Sequence, residues 1–310
     1  MIEILRHSQE KLERLTRPEP KSWINLISPT AEELNKLKQF IKIPDEFIES
    51  LKDIEELPSL QELDNLTFIT LRVPCSADKE DVKQAVCPVG IFATGSMIAT
   101  ISFFETQVFD DIKRQNFQFR KTQFVFRLFL SSTKFYLDAL KAIQEKMYTL
   151  ESELEKTQSN KVVMEFLEME KNLVYFDTSL RSNLVLIRRI AKEGTKNRFI
   201  TLKTAEDRNL IHEVIDENKQ ALQMANLYSN ILSNTLDAFA SIISNNLNVT
   251  IKFLTSLTVI LALPTLIASV YGMNIDLPFD KSPFAFAIVM GITFVITITC
   301  VFLLWKRKFF

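Results

Sequence analysis

The stretch KFLTSLTVILALPTLIASVYGMN, Lys252–Asn274, decides how the rest of the chain is read. No charged residue occurs from Phe253 to Ile275, and none from Ser282 to Trp305. Each run exceeds the roughly 20 residues that cross a hydrocarbon layer as a helix. Core helices of soluble proteins are usually shorter and amphipathic. The reading is therefore two C-terminal transmembrane helices, 249–274 and 283–305, with a loop 275–282 and a basic tail 306–310. Lys252 flanks the first span and Lys306, Arg307 and Lys308 the second, while the loop carries Asp276, Asp280 and Lys281. The positive-inside rule puts both termini in the cytoplasm, in a cell (inner) membrane.

Within the first span, polar residues are sorted. Steps of three and four residues pass through Asn248, Ile251, Thr255, Thr258, Ala262, Thr265 and Ser269. Between Phe253 and Val270, four of these five positions are hydroxyl residues, whereas only Ser256 is polar among the thirteen others. A period of 3.5 suits parallel helices supercoiled about an axis. A stripe of this kind lines a pore or, alternatively, hydrogen-bonds packed helices to one another. It holds hydroxyls and amides but no carboxylate. Magnesium sheds water reluctantly, so neutral oxygens along a wider path suit a cation that stays hydrated. Ile251 and Leu254 offer an apolar constriction that gates by dewetting. Two spans cannot enclose a path alone, so several identical copies are required.

Working back from the span, no proline lies between Pro88 and Pro264, and the only glycines in that interval are Gly90, Gly95 and Gly194. Such a region is long helix. Residues 124–203 read as an antiparallel helix pair bent at Ser159-Asn160 and ended by Gly194. A third helix starts at Thr204, where Asp207 has capping spacing, and forms a stalk over 204–248. Pro264 only kinks it. Run to about residue 271, it would be roughly 100 Å long at 1.5 Å per residue, passing from one environment into another.

Residues 1–123 read as an α/β domain. Trp23 to Leu26 is a short apolar run, and Thr30 with Glu33 has capping-box spacing at a helix start. Thr67 to Val73 and Gly90 to Phe103 are rich in β-branched and aromatic residues, with a turn at Thr94-Gly95. The fold class is thus an α+β cytosolic domain with long helices plus two transmembrane helices.

Other classes are excluded by composition. Net charge is −1 across 310 residues, so no basic field points to nucleic acid. Cys75, Cys87 and Cys300 form no close pair in sequence, which argues against a disulfide framework and fits a reducing cytosol. With only His7 and His212, no histidine metal centre or catalytic triad is expected. No nucleotide-binding motif and no nucleophile–base set is present, so the chain does not read as an enzyme. Met1 to Leu15 is charged throughout and lacks the apolar stretch of a signal peptide.

Tyr271-Gly272-Met273-Asn274, between two C-terminal spans and after a long breaker-free helix, resembles the signature of the CorA family of magnesium transporters. Leu236-Asp237 through Ser244-Asn245 to Asn248 and Lys252-Phe253-Leu254-Thr255 is similar to that family's pore helix. The resemblance covers the chain and implies a homopentameric funnel whose first spans line the pore. It implies a selectivity filter at Gly272, Met273 and Asn274, with Asn274 bonding the ion's water shell and Gly272 allowing close backbone approach. Asp237, Asn248 and Thr265 would face the axis, and the gate would fall on Ile251 and Leu254. The family is held closed by magnesium bound between cytosolic domains. The matching stalk residue is Glu213, with Asp216 near it. The matching N-terminal helix is Phe47 to Asp53, where Glu49 keeps an acidic match and Ser50 stands where the family has aspartate. Asp53, Glu55 or Glu56 would substitute there, or the acidic block is a solvated helix end. The loop lacks the Met-Pro-Glu-Leu block of many members, leaving Asp276 and Asp280 to attract cations. The implied activity is passive Mg2+ uptake. The alternatives are zinc, cobalt or nickel transport on the same fold, or a non-conducting membrane sensor.

Overall fold

The structure is a computed structural model that describes residues 2–8, 11–75, 86–115, 117, 119–157, 160–193, 199–274, 278, 283–307 and 309. It divides into two compact units, Met1–Ser233 and Asn234–Phe310.

The first unit is built on a seven-stranded sheet. Its strands are β1 (Ile2–Ser8), β2 (Lys11–Arg14), β3 (Trp23–Ile27), β4 (Ser59–Leu63), β5 (Leu66–Pro74), β6 (Val86–Ala93) and β7 (Ile98–Ser102). They lie in the order β2-β1-β3-β7-β6-β5-β4. Among the described residues only β3 and β7 pair in parallel, and every other pair is antiparallel. The inner strands are buried on both faces, which is why they read as near-continuous apolar runs. Trp23, Ile69, Leu71, Val89 and Ile91 point to one side, and Ile24, Leu26, Phe68, Phe92 and Ile101 to the other. The second face is covered by α1 (Ala31–Phe40) and α2 (Asp45–Ser50). Thr30 and Glu33 close a reciprocal capping box at the start of α1, as their spacing predicts. The turn at Thr94 also forms where predicted, with the Thr94 N–H donating to Met97 O at 3.0 Å.

The first face is covered by α3 (Val108–Arg114) and by parts of three long helices, α4 (Lys121–Thr157), α5 (Asn160–Glu193) and α6 (Ala205–Tyr271). Tyr136 packs edge-on against Phe176 with centroids 5.3 Å apart, and Lys146 pairs with Glu165 at 3.1 Å. As one helix is climbed the other is descended, so α4 and α5 are antiparallel. The start of α6 is tied to α4 through Arg120, which bonds Thr204, Glu206 and Asp207. Thr204 and Asp207 cap α6 reciprocally. The bend at Ser159 and the stop at Gly194 lie outside the described residues.

One feature is not anticipated from the sequence and another departs from expectation. The charged N-terminus is a β-hairpin, β1 with β2. Its strands sit at the sheet edge, where no continuous apolar run is required. The helix expected over Phe47 to Asp53 ends at Ser50. Leu51 there lies against Gly90, where an added Cβ would overlap the Leu51 side chain.

The second unit holds the remainder of α6 and α7 (Ala285–Lys306). α6 runs for 67 residues and Pro264 does not end it. The apolar part of α6, and α7, are each long and apolar enough to cross a membrane.

Candidate functional site

The apolar part of α6 has two different faces. Lys252, Ile260, Leu263, Pro264, Ile267 and Tyr271 are half-buried, and Ser256 is fully buried. These recur with helical period on one side, and α7, the other helix of this unit, has a covered row of its own through Val289, Thr293, Thr297, Cys300 and Leu304. Asn248, Ile251, Thr255, Thr258, Ala262, Thr265 and Ser269 are all exposed, as are Leu254 and Asp237. The stripe is therefore distinct from the face that is covered within one chain. Ser256, the one polar residue off the stripe, is on the covered face and donates to Lys252 O at 2.8 Å.

Two of the four hydroxyls on the stripe, Thr258 and Thr265, are oriented by the helix itself. Thr258 donates to Leu254 O and Thr265 to Leu261 O, each at 2.9 Å. Their protons are turned into the backbone, which leaves oxygen lone pairs as the remaining polar capacity. Such a surface accepts hydrogen bonds from water and is suited to positive charge.

The helix closes at Tyr271. The Gly272 N–H donates to Ala268 O at 3.0 Å and to Ser269 O at 3.2 Å, and the Met273 N–H to Val270 O at 3.2 Å. Gly272, Met273 and Asn274 are exposed beyond the helix end. A Cβ on Gly272 would meet the Ala268 and Ser269 oxygens at 3.4 and 3.5 Å, ordinary contacts. The single chain thus does not itself demand glycine at this point. Tyr271 donates its hydroxyl to Pro278 O at 3.3 Å, tying the helix end to the following loop. The sequence reading placed Tyr271 in the signature but gave it no role; its spacing from Pro278 carries no signal. Asp276 and Asp280 lie outside the described residues.

The acidic residues of the first unit are arranged differently. Glu213 and Asp216 are exposed on α6, and Lys219 pairs with Asp216 at 3.2 Å. Glu49 is exposed on α2 and paired with Lys52 at 2.7 Å. Asp53 lies past the helix, where its carboxylate accepts the Glu55 N–H at 2.9 Å. Ser50 donates to Phe47 O at 3.2 Å, so its hydroxyl is locally satisfied. Burial, and then the neighbouring charge of Asp53, push the Glu56 carboxyl above its usual range. Among the described residues, no three acidic, histidine or cysteine side chains converge on a metal-sized site. The four candidates Glu49, Asp53, Glu213 and Asp216 are not assembled into a cation site by one chain alone.

With this geometry in hand, comparison with known proteins is decisive. A family model described as CorA-like Mg2+ transporter protein matches residues 21–307. The chain belongs to the CorA family. The CorA match begins just ahead of β3 and ends past α7, so it spans every candidate residue named above. The cobalt/magnesium transport protein CorA of Methanocaldococcus jannaschii is 26% identical over 294 residues, covering 91% of this chain and 89% of that protein. The cobalt/magnesium transport protein CorA of Thermotoga maritima is 22% identical over 297 residues, covering 93% and 83%. The complete structure of the CorA magnesium transporter from M. jannaschii superposes with a TM-score of 0.84 at 24% identity, covering 99% of this chain and 98% of that one. The architecture of α/β unit, long helices and two apolar C-terminal helices is the CorA fold.

Proposed function

We propose that this chain is one subunit of an oligomeric membrane channel that carries Mg2+, and Co2+ with it, down the electrochemical gradient. The observation that carries the reading is the exposed hydroxyl stripe on α6, separate from the face covered within the chain. Copies arranged around an axis, five by family likeness, would turn that stripe inward. Oxygen lone pairs at Thr258 and Thr265 would then face the water shell of a passing cation. Gly272, Met273 and Asn274 would form the outer filter, and exposed Ile251 and Leu254 the dewetting gate. Asp276 and Asp280 would draw cations to the outer mouth, with both termini in the cytoplasm. The names of the two CorA relatives support magnesium and cobalt as cargo. The driving force is adequate: one charge across 100 mV is worth ~2.3 kcal/mol, and a divalent ion about twice that. Regulation would come from cytosolic Mg2+ held between subunits by Glu213 and Asp216 of one copy and Glu49 and Asp53 of the next. Neighbouring copies are needed because, among the described residues, no such cluster exists within one.

The test is Mg2+ uptake into liposomes holding the purified protein, read by a trapped dye, with Zn2+ and Co2+ in parallel. Mg2+ uptake that Asn274→Ala loses, with the oligomer intact, is the expected result. Zinc uptake alone would move the protein to a zinc transporter. No flux of any ion at low internal Mg2+ would make it a non-conducting sensor.

A further inference from the structure

Cys75 and Cys87 are far from any motif, twelve positions apart in sequence, but the sheet brings them together. In the β5–β6 ladder, Val73 is the partner of Cys87. Cys75, one residue past the end of β5, therefore returns to the same side of the sheet as Cys87. The two thiols influence one another's ionisation. Cys87 is fully buried, while Cys75 is half-buried. Cys75 also lines a cavity of about 220 Å³ with Pro74, Gln107, Phe135, Asp138 and Ala139. Gln107 and Asp138 in its lining are exposed.

Arg72 is the second observation. Its side chain is buried at 4% exposure, its Nε has no hydrogen-bond partner, and one terminal nitrogen donates to Ile54 O at 3.3 Å. No carboxylate pairs with it among the described residues. Its backbone is held hard: the N–H donates to Asn183 Oδ1, and the carbonyl accepts from Asn183 Nδ2, Tyr136 and Ser132. A buried cation lacking a paired carboxylate is costly, and its charge, although Arg72 alternates to the other side of β5 from the two cysteines, is felt through the strand by both thiols. The two thiols respond in opposite directions. The influence of Cys87, with help from Arg72, holds Cys75 below the usual thiol range, whereas burial holds Cys87 well above it. Low-pKa, accessible thiols beside a second cysteine are the ones that oxidise reversibly.

We propose that Cys75 is a modification site for hydroperoxides, with Cys87 as its resolving thiol, and that the pair closes to a disulfide at the end of β5. In the first step the Cys75 thiolate sulfur attacks the peroxide O–O bond. An S–O bond forms, the O–O bond breaks, and hydroxide leaves to be protonated to water. The sulfur loses two electrons, the peroxide gains them, and Cys75 becomes a sulfenic acid. In the second step the Cys87 sulfur attacks the Cys75 sulfur. The S–S bond forms, the S–O bond breaks, and hydroxide leaves with the Cys87 proton as a second water. Overall two thiols and one hydrogen peroxide give one disulfide and two waters.

The test treats the full-length protein in detergent with hydrogen peroxide, followed by non-reducing digestion and mass spectrometry. A Cys75–Cys87 crosslinked peptide is expected, one peroxide being consumed per two thiols, with Cys300 still a thiol. Cys87→Ser should leave Cys75 as a sulfenic acid that dimedone captures. Alkylation of Cys75 in the untreated protein should have a pH midpoint below that of the same cysteine in the denatured chain. Arg72→Gln should slow that alkylation on the order of three- to tenfold, and Arg72→Lys should restore most of it. A midpoint equal to that of the denatured chain overturns the proposal, whether or not Arg72→Gln folds. So does the absence of both the crosslink and the dimedone adduct.

Discussion

Single residues set several of the distances on which the candidate sites depend. Gly90 lets the end of α2 close onto the sheet, because Leu51 occupies the space a Cβ would take. Leu51 is fully buried and has nowhere to retreat. Gly90→Ala is expected to cost about 1–3 kcal/mol by overpacking and to displace α2 with Glu49. A lowered thermal midpoint and faster amide exchange in α2 would bear this out; an unchanged midpoint would show that Leu51 repacks freely. Glu33 acts at the same scale. Its carboxylate accepts the Thr30 and Ile2 N–H groups, and the Thr30 bond chiefly lowers its pKa. A carboxyl with a depressed folded-state pKa contributes stability above its unfolded pKa, and that contribution is lost as pH falls through the folded value. Exchange protection of the Leu34 amide should therefore drop in acid relative to Glu33→Gln, which has no charge to lose. Parallel profiles for the two proteins would remove the charge from the cap.

At the scale of elements, α6 does two jobs with one continuous helix. Its first part packs on α4 and α5 through Tyr228 to Gln144 and Asn226 to Asp177. Its apolar part separates a covered face from a hydroxyl face. If the hydroxyl oxygens face permeating water, Thr258→Val and Thr265→Val together should reduce Mg2+ flux severalfold. Valine keeps the shape and the helix while removing the lone pairs. Helix content and oligomer size should not change. Flux equal to that of the parent protein would return the stripe to a packing role. Ser256 and Thr293 bond to their own helices just as Thr258 and Thr265 do, so burial and not hydrogen bonding separates the covered hydroxyls from those of the stripe.

For the whole molecule, the dispersed carboxylates matter most. Glu49 is paired with Lys52 just past the end of α2 and Asp216 with Lys219 on α6, while Glu213 is exposed on the stalk. A regulatory cation assembled only between copies would make gating depend on the oligomer. Glu213→Ala is expected to shift inhibition by internal Mg2+ to higher concentration, by roughly tenfold for about 1.4 kcal/mol of lost binding. The measurement is flux against internal Mg2+ in liposomes. An inhibition curve that does not move would take Glu213 out of the site.

The sequence by itself determined what depends on local period and composition. Long charge-free runs give membrane-length helices, the lack of breakers up to Pro264 gives the long helix α6, and capping spacings at Thr30 and Thr204 give the starts of α1 and α6. The sorted hydroxyls of α6 were legible for the same reason, since one helical face is a sequence period. Tertiary structure alone decided what depends on long-range register. The edge hairpin β1–β2 has no apolar run to announce it. The close packing of Leu51, just past α2, on Gly90 joins residues distant in the chain. The placing of Cys75 and Cys87 on one side of the sheet requires the β5–β6 ladder. Contacts between residues distant in the chain leave no period behind, so only the folded chain shows them.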